Sequence, residues 1–176
     1  ELIRGMHNLR ARHRGCVATI GNFDGVHLGH QAVLGQLASM SAESNLPATV
    51  IIFEPQPQEF FARDKAPARL TRFREKIQAL RRYSVQRVLC LRFDDRFAHT
   101  PPGEFIQRLL VEGLAVRRLV VGDDFRFGYR RQGNFSLLQQ AGEQYGFQVV
   151  AMHTYRVDGV RVSSTRVREA LAQGDL

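Results

Sequence analysis

The chain has 176 residues, enough for one domain with a sizeable core, and a composition of 44% hydrophobic and 24% charged residues that is ordinary for a soluble α/β protein. No apolar run is long enough to span a membrane, and the first residues lack a signal-peptide pattern. Cys16 and Cys90 each lie in an apolar run, as the core thiols of a cytoplasmic protein do. We therefore expect a cytoplasmic protein that does not associate with a membrane.

The net charge of +8 is carried almost entirely by arginine, since Lys65 and Lys76 are the only lysines. A basic surface can bind nucleic acid or serve a small polyanionic ligand. Arginine suits phosphate geometry, although a genome of high GC content also raises the arginine content. The arginines are scattered, without a basic tail or an array of interleaved aromatic residues. This distribution favours a small ligand, and we expect no nucleic-acid partner.

Strand-like and helix-like segments alternate along the chain. The strand-like segments are 16–21, 48–54, 87–93, 117–122 and 147–155, and the helix-like segments are 29–44, 72–83, 103–113, 135–145 and 164–173. Asp158-Gly159 predicts a tight hairpin turn. The alternation predicts a mainly parallel sheet with helices on both faces. Ligands bind beyond the carboxyl ends of such strands, so four loops should meet at one crevice. These loops contain residues 21–30, 55–71, 122–133 and 161–168.

The most informative segment is GNFDGVHLGH, which runs from Gly21 to His30. His27 and His30 lie where a strand-like run gives way to helical spacing. Free backbone N–H groups and the positive end of the helix dipole converge there, which suits a phosphate group. Residues three apart share a helix face, so both imidazoles can point at one anion, and Gly29 leaves room for it. The alternative is a turn histidine and a helix histidine without a further task.

A second segment, VSSTRVR, runs from Val162 to Arg168 and opens the last predicted helix. Ser163 or Ser164 can cap that helix, because a serine hydroxyl accepts a hydrogen bond from a free backbone N–H group. Arg168 falls one turn after Ser164 on the same face. A helix N-terminus with an arginine can clamp a polyphosphate. Capping alone would also explain the serines.

Two further loops carry chemical groups near strand ends. In GDDFRFG, from Gly122 to Gly128, Asp123 and Asp124 can hold Mg²⁺, accept hydrogen bonds, or serve only as turn residues. In the other loop, Pro55 and Pro57 stiffen the chain and Phe60 and Phe61 offer a flat apolar surface. The sequence contains no P-loop, no G-x-G-x-x-G fingerprint, no nucleophile elbow and no zinc-ligand spacing.

Together these segments resemble the motifs of the nucleotidylyltransferase superfamily, in the form found in bacterial FAD synthetases. GNFDGVHLGH resembles the H-x-G-H signature, and VSSTRVR resembles I-S-S-T-x-x-R with Val162 in place of isoleucine. GDDFRFG is similar to a G-x-D/N-F-x-F-G loop that lies over nucleotide and flavin. The P-x-P loop and RLTRFREK, from Arg69 to Lys76, are similar to segments that help form the flavin pocket.

This resemblance, which runs from Arg4 to Leu176, implies a Rossmann-like nucleotidylyltransferase fold and the reaction ATP + FMN → FAD + pyrophosphate with Mg²⁺. It implies catalytic roles for His27, His30 and Arg168, and it assigns no residue to the metal. The residues that it implies for ATP are Gly21, Asn22, Phe23, Asp24, Gly29, Ser163, Ser164 and Thr165. The residues that it implies for the flavin are Pro55, Pro57, Phe61, Leu70, Thr71, Asp124, Phe125 and Phe127.

The family usually carries a riboflavin kinase module after the last helix, whereas this chain ends at Leu176. We therefore expect residues 1–176 to be an FMN adenylyltransferase domain without its kinase module. Other functions stay open on the motifs. Pantetheine-phosphate and nicotinamide-nucleotide adenylyltransferases share the superfamily signatures. Class I aminoacyl-tRNA synthetases share H-x-G-H more remotely, but their second, lysine-bearing signature is missing here and the chain is too short to hold their RNA-binding parts. A basic nucleic-acid-binding module and a non-catalytic flavin binder are the remaining alternatives.

Overall fold

The computed structural model describes residues 1–152 and 155–175. Within them, six strands form one sheet in which every neighbouring pair is parallel, in the order β1-β4-β3-β2-β5-β6. The strands are β1 (Leu2–Arg4), β2 (Cys16–Ile20), β3 (Ala48–Glu54), β4 (Arg87–Arg92), β5 (Val116–Gly122) and β6 (Gln148–Met152). The order confirms the predicted parallel sheet.

Helices connect the strands, as the alternating sequence pattern predicts. They are α1 (Leu28–Ser44), α2 (Pro57–Ala62), α3 (Phe73–Arg82), α4 (Asp95–Ala98), α5 (Pro102–Phe105), α6 (Phe135–Tyr145) and α7 (Ser164–Gln173). Pro102 stands at the start of α5, where its missing N–H group costs little. α5 continues in π-helical turns over Ile106–Gly113, so the helix predicted at 103–113 is not a regular α-helix.

The two faces of the sheet bury different sets of residues, because side chains alternate along a strand. On one face, Val17 and Val50 belong to the same apolar cluster as Leu34 and Leu37 of α1, and α3 adds Leu80. The other cluster combines strand residues with the π-helical turns and α6. It includes Ala18, Leu119, Leu109 and Leu138. Helices therefore cover both faces, as predicted.

The ends of most predicted elements agree with the structure to within one or two residues. The strand predicted at 147–155 ends at Met152, and its residues 153 and 154 lie outside the described residues. β1, α2 and α4 were not predicted, because each has six residues or fewer and shows too little periodicity. In α2, the proline interpreted as part of a stiff loop instead begins a helix, since Pro57 occupies its first position and Glu59 accepts a bond from the backbone N–H of Gln56.

The hairpin predicted at Asp158-Gly159 is confirmed. β7 (Arg156–Val157) and β8 (Val160–Arg161) pair antiparallel across a turn in which Asp158 and Gly159 both have positive φ, 50° and 78°. The hairpin directly precedes α7. It therefore brings the chain from the edge strand β6 back toward the start of the last helix.

The position of the site follows from the strand order. β2 and β5 are neighbours, but the chain leaves β2 toward β3 on one side and leaves β5 toward β6 on the other. Ligands bind at such a reversal, beyond the carboxyl ends of the strands. The loops after Ile20 and after Gly122 lie there. Among the described residues, none of the helices has the length and apolar character needed to cross a membrane.

Candidate active site

His27 and His30 form a stacked pair at the start of α1. Their ring centroids are 3.7 Å apart and the rings are inclined by 19°. His27 is the N-cap residue, and its Nδ1 accepts a hydrogen bond of 3.4 Å from the backbone N–H of His30. Because Nδ1 is an acceptor, the proton of neutral His27 is on Nε2. The predicted placement of both imidazoles at a helix N-terminus is therefore confirmed.

Both imidazoles are held neutral. Burial lowers the pKa of His27, and the charge of Asp24 offsets this only in part. Burial also lowers the pKa of His30, to about 3, and the neighbouring His27 lowers it further. The pair therefore faces a ligand as two polar imidazoles rather than as two cations.

The loop before the histidines has a strained backbone. Phe23 and Val26 have positive φ values of 49° and 40°, which are rare for a bulky or β-branched residue. A side chain at Gly29 would place its Cβ 3.2 Å from His27 Nδ1 and 3.4 Å from the carbonyl oxygen of Val162. The glycine therefore lets the C-terminal segment approach the histidine loop closely. Backbone strain such as that at Phe23 and Val26 is typical of binding sites.

The start of α7 is fixed by both serines, each in a different way. Ser163 is the N-cap, and its Oγ accepts a bond of 3.3 Å from the backbone N–H of Arg166. The Oγ of Ser164 instead donates to the backbone oxygen of Asp24, at 3.0 Å. Thr165, in the first turn, is exposed. The structure thus brings the two predicted motifs together, although they lie at opposite ends of the chain.

Arg168 and Asp24 form an ion pair within this junction. Arg168 Nη2 lies 2.5 Å from Asp24 Oδ2, and Arg168 Nε donates to the backbone oxygen of Ala68 at 2.6 Å. Asp24 is only 1% exposed. Burial raises its pKa, but hydrogen bonds from Leu70 and Thr71 and the charge of Arg168 outweigh burial, so the pKa lies below its usual value. The carboxylate is therefore ionised.

A cavity of about 810 Å³ adjoins the histidine loop and has an aromatic lining. Gly21 and Asn22 form part of its wall. Five of the predicted flavin residues also line it: Pro57, Phe61, Asp124, Phe125 and Phe127. The rings of Phe125 and Phe127 are stacked, with centroids 5.6 Å apart. A cavity of this size with a mainly apolar wall suits a planar ring system.

Three predicted flavin residues lie outside this wall. Pro55 follows β3 through a cis peptide bond. Leu70 and Thr71 point their backbone N–H groups at Asp24, at 3.1 Å and 3.0 Å. The preceding residue, Arg69, forms ion pairs with Glu54 and Glu59, and the segment after it contacts Asp24 of the histidine loop.

Several cavity residues were not predicted. The phenylalanines at the far wall are Phe53, Phe93, Phe97 and Phe105, and the rim carries Arg126, Arg130 and Arg131. Phe93 directly follows β4, and Phe97 lies in α4. The high phenylalanine content, 12 of 176 residues, was the available signal, but it does not show which rings converge.

The burial of Lys76, which ends the segment RLTRFREK, was not predicted. Its side chain is fully buried, and its Nζ has no hydrogen-bonding partner among the described residues. Burial lowers its pKa, while the charges of Asp24 and Glu54 oppose this effect. The sequence feature that could have indicated this burial is the position of Lys76 on the apolar stripe of α3, between Phe73 and Leu80.

Asp124, one of the two acids of the loop after β5, forms an ion pair within the protein. Asp124 Oδ2 accepts a bond of 2.7 Å from Arg161 Nη2 of the hairpin. Over residues 1–152 and 155–175, no three His, Cys, Asp or Glu side chains cluster in a way that could hold a metal ion. The carboxylate of Asp124 instead ties the loop after β5 to β8.

The fold is shared with solved structures of low sequence identity. A protein from Streptococcus pneumoniae described as a macrolide-efflux protein superimposes with a TM-score of 0.84 at 22% identity, over 99% of this chain and 58% of that one. Pantothenate synthetase from Thermus thermophilus superimposes with a TM-score of 0.53 at 18% identity, over 98% and 76%. The fold is thus the Rossmann-like nucleotidylyltransferase fold.

The sequence matches the family described as FAD synthetase over residues 9–166, and the chain belongs to this family. It is 56% identical over its whole length to the bifunctional riboflavin kinase/FMN adenylyltransferase of Escherichia coli strain K12, and 55% identical over 99% of its length to that of Pseudomonas fluorescens. It spans 56% of the length of each of these two relatives.

Proposed function

We propose that this chain transfers the AMP moiety of ATP to FMN, giving FAD and pyrophosphate. The observation that carries the proposal is the junction of two helix N-termini beside an aromatic cavity. α1 presents His27 and His30, α7 presents Arg168, and Ser164 bonds to the histidine loop. The two helix ends suit the phosphates of ATP, and the apolar cavity suits an isoalloxazine ring.

The reaction requires little covalent chemistry from the protein. A phosphate oxygen of FMN forms a bond to the α-phosphorus of ATP as the bond between that phosphorus and the bridging oxygen to the β-phosphate breaks. Pyrophosphate leaves with the electron pair of that bond. The FMN phosphate is already an anion, so no general base is needed. The site must align the reactants and stabilise the charge that develops on pyrophosphate.

Three groups are suited to that stabilisation. His27 carries its proton on Nε2, so it can donate a hydrogen bond to a phosphate oxygen. The free N–H groups at the start of α1 and α7 supply further donors. Arg168 adds a full positive charge. We assign Gly21, Asn22 and Phe23 to the ATP side together with Gly29, Ser163, Ser164 and Thr165.

Mg²⁺ is part of the proposal as the ion that accompanies ATP. Mg²⁺ usually binds through substrate phosphates and one or two carboxylates rather than in a cage made of protein groups alone. The described residues offer no preformed cluster of three ligands, which agrees with an ion that arrives on the nucleotide. When bound, it would neutralise phosphate charge.

The proposal assigns adenylyl transfer, and not riboflavin phosphorylation, to residues 1–176, although the relatives are bifunctional. We also propose that the protein is cytoplasmic. Cys16 and Cys90 are buried and unpaired, as is common where thiols stay reduced.

The decisive experiment incubates the purified chain with ATP, Mg²⁺ and one acceptor at a time, and measures dinucleotide and pyrophosphate by chromatography. FMN should give FAD and pyrophosphate in equal amounts. 4′-Phosphopantetheine, nicotinamide mononucleotide and riboflavin serve as matched acceptors and should give no product. A product from phosphopantetheine or nicotinamide mononucleotide, with none from FMN, would overturn the assignment. Formation of FMN from riboflavin would overturn the restriction to adenylyl transfer.

A further inference from the structure

The carboxylate of Asp24 is buried and is used entirely within the protein. Its Oδ1 accepts from the backbone N–H of Thr71 at 3.0 Å and from Thr71 Oγ1 at 3.1 Å. The N–H of Leu70 lies 3.1 Å from both oxygens. Oδ2 faces the guanidinium of Arg168. One side chain thus joins the histidine loop, the segment before α3 and the last helix.

Arg168 is held at two points and retains free donors. Its Nη2 bonds to Asp24 and its Nε to the backbone oxygen of Ala68. In the part of the chain that the structure describes, its Nη1 makes no hydrogen bond, and the side chain is 19% exposed. A guanidinium is planar, so fixing two of its nitrogens fixes the direction of the third.

We propose that Asp24 is a positioning residue that holds the guanidinium of Arg168 ready for the phosphates of ATP, and that its carboxylate does not itself bind the nucleotide. This inference rests on the proposed function and deepens it. Two arguments support it. The carboxylate is 1% exposed, and it already accepts hydrogen bonds from four donor groups. A carboxylate directed at ATP would also repel its phosphates. The carboxylate of Asp24 is instead paired with the guanidinium of Arg168, whose positive charge offsets that repulsion.

A double-mutant cycle tests whether Asp24 acts through Arg168. Asp24→Asn keeps the shape and an oxygen acceptor for the N–H groups of Leu70 and Thr71, but it removes the charge that faces the guanidinium. We expect Asp24→Asn to raise the KM for ATP about tenfold, the effect of losing a hydrogen bond to a charged group, and to change the KM for FMN less than twofold. In the Arg168→Ala background, the same substitution should change the KM for ATP less than twofold.

Glu59→Gln is the matched control. It neutralises one carboxylate of another arginine ion pair, that of Arg69, and makes no contact with Arg168. Its effect on the KM for ATP should be the same with and without Arg168. Circular dichroism is recorded for each variant, because Arg168→Ala leaves a buried carboxylate unpaired.

Additive effects of Asp24→Asn and Arg168→Ala would overturn the inference, and so would an unchanged KM for ATP in Asp24→Asn. A measurement on the unmutated protein stays decisive if Asp24→Asn does not fold. The ¹⁵N-NMR signal of the Arg168 Nη2–H group that donates to Asp24 should be protected from exchange without ligand, and it is assigned by its loss in Arg168→Lys. A rapidly exchanging group would overturn the inference.

Failure of the proposed function is recognised separately. Equilibrium binding of α,β-methylene-ATP is measured on the unmutated chain. If the analogue does not bind and FAD is not formed, the proposed function itself fails. If the chain binds the analogue and forms FAD while the cycle is additive, only the role of Asp24 is wrong.

Discussion

At the scale of single residues, the stacking of His27 on His30 determines how the pair can act. Two imidazolium rings with centroids 3.7 Å apart would repel each other, and burial adds a further cost to charging them. The pair is therefore neutral in the ligand-free site. His27 is then a directed donor through Nε2, while Arg168 supplies the positive charge.

Replacing either histidine should slow turnover strongly. We expect His27→Ala and His30→Ala each to lower kcat for FAD formation about a hundredfold or more, the effect of removing one well-placed polar group from a charge-stabilising site. His7→Ala is the control, because His7 is an exposed histidine far along the chain from the motif. Near-normal turnover in both site variants would contradict the central role given to the pair.

The low pKa of His30 leads to a prediction about the stability of the folded chain in acid. Its pKa is about 3 in the folded chain against an ordinary value of 6.5, so the unfolded chain binds a proton at higher pH than the folded one. The stability that depends on neutral His30 is present above pH 6.5 and is lost progressively as the pH falls toward 3. The free energy of unfolding in urea should therefore fall less between pH 7 and pH 5 for His30→Asn than for the unmutated chain. Equal losses would show that His30 does not titrate in this way.

At the scale of elements, the two serines at the start of α7 have different roles, although the local sequence does not distinguish them. Ser163 caps the helix, and Ser164 ties it to the histidine loop. The sequence leaves the choice open because either hydroxyl could reach a free N–H group of the first turn. The tertiary contact with Asp24 decides it.

Ser163→Ala should therefore loosen α7. The loss of an N-cap costs about 1 kcal/mol, and hydrogen exchange at the backbone N–H of Arg166 should report it as faster exchange. Ser164→Ala is the comparison, and it should leave the exchange of that N–H group nearly unchanged. The reverse pattern would mean that Ser164 is the cap.

At the scale of the whole molecule, stability rests on a parallel sheet that is covered on both faces. Leu119 of β5 is fully buried in one of the two apolar clusters. Leu119→Ala should lower the free energy of unfolding in urea by about 2–5 kcal/mol, through lost burial and the cavity left behind. Leu171→Ala, at a side chain that is 53% exposed, should change it by less than about 0.5 kcal/mol. Similar effects of the two substitutions would contradict the assigned core.

The sequence alone was enough to predict the alternation of strands and helices, the parallel sheet, the hairpin at Asp158-Gly159 and the two motifs at helix N-termini. Each of these depends on local properties: the period of apolar residues, the positive φ that a tight turn requires, and capping side chains next to a helical pattern. The parallel sheet follows from the order in which these local patterns alternate along the chain. The structure therefore agrees with these predictions.

Only the tertiary structure decided which distant groups meet. Arg168 pairs with Asp24 across 144 positions of sequence, and Leu70 and Thr71 turn toward that same carboxylate instead of lining the cavity. Lys76 is charged, yet the packing of α3 buries it. Local sequence patterns cannot predict these contacts, because they depend on how the packed elements place their side chains relative to one another. The sequence by itself thus determined the elements and their motifs, and packing across the sheet determined how the motifs were joined.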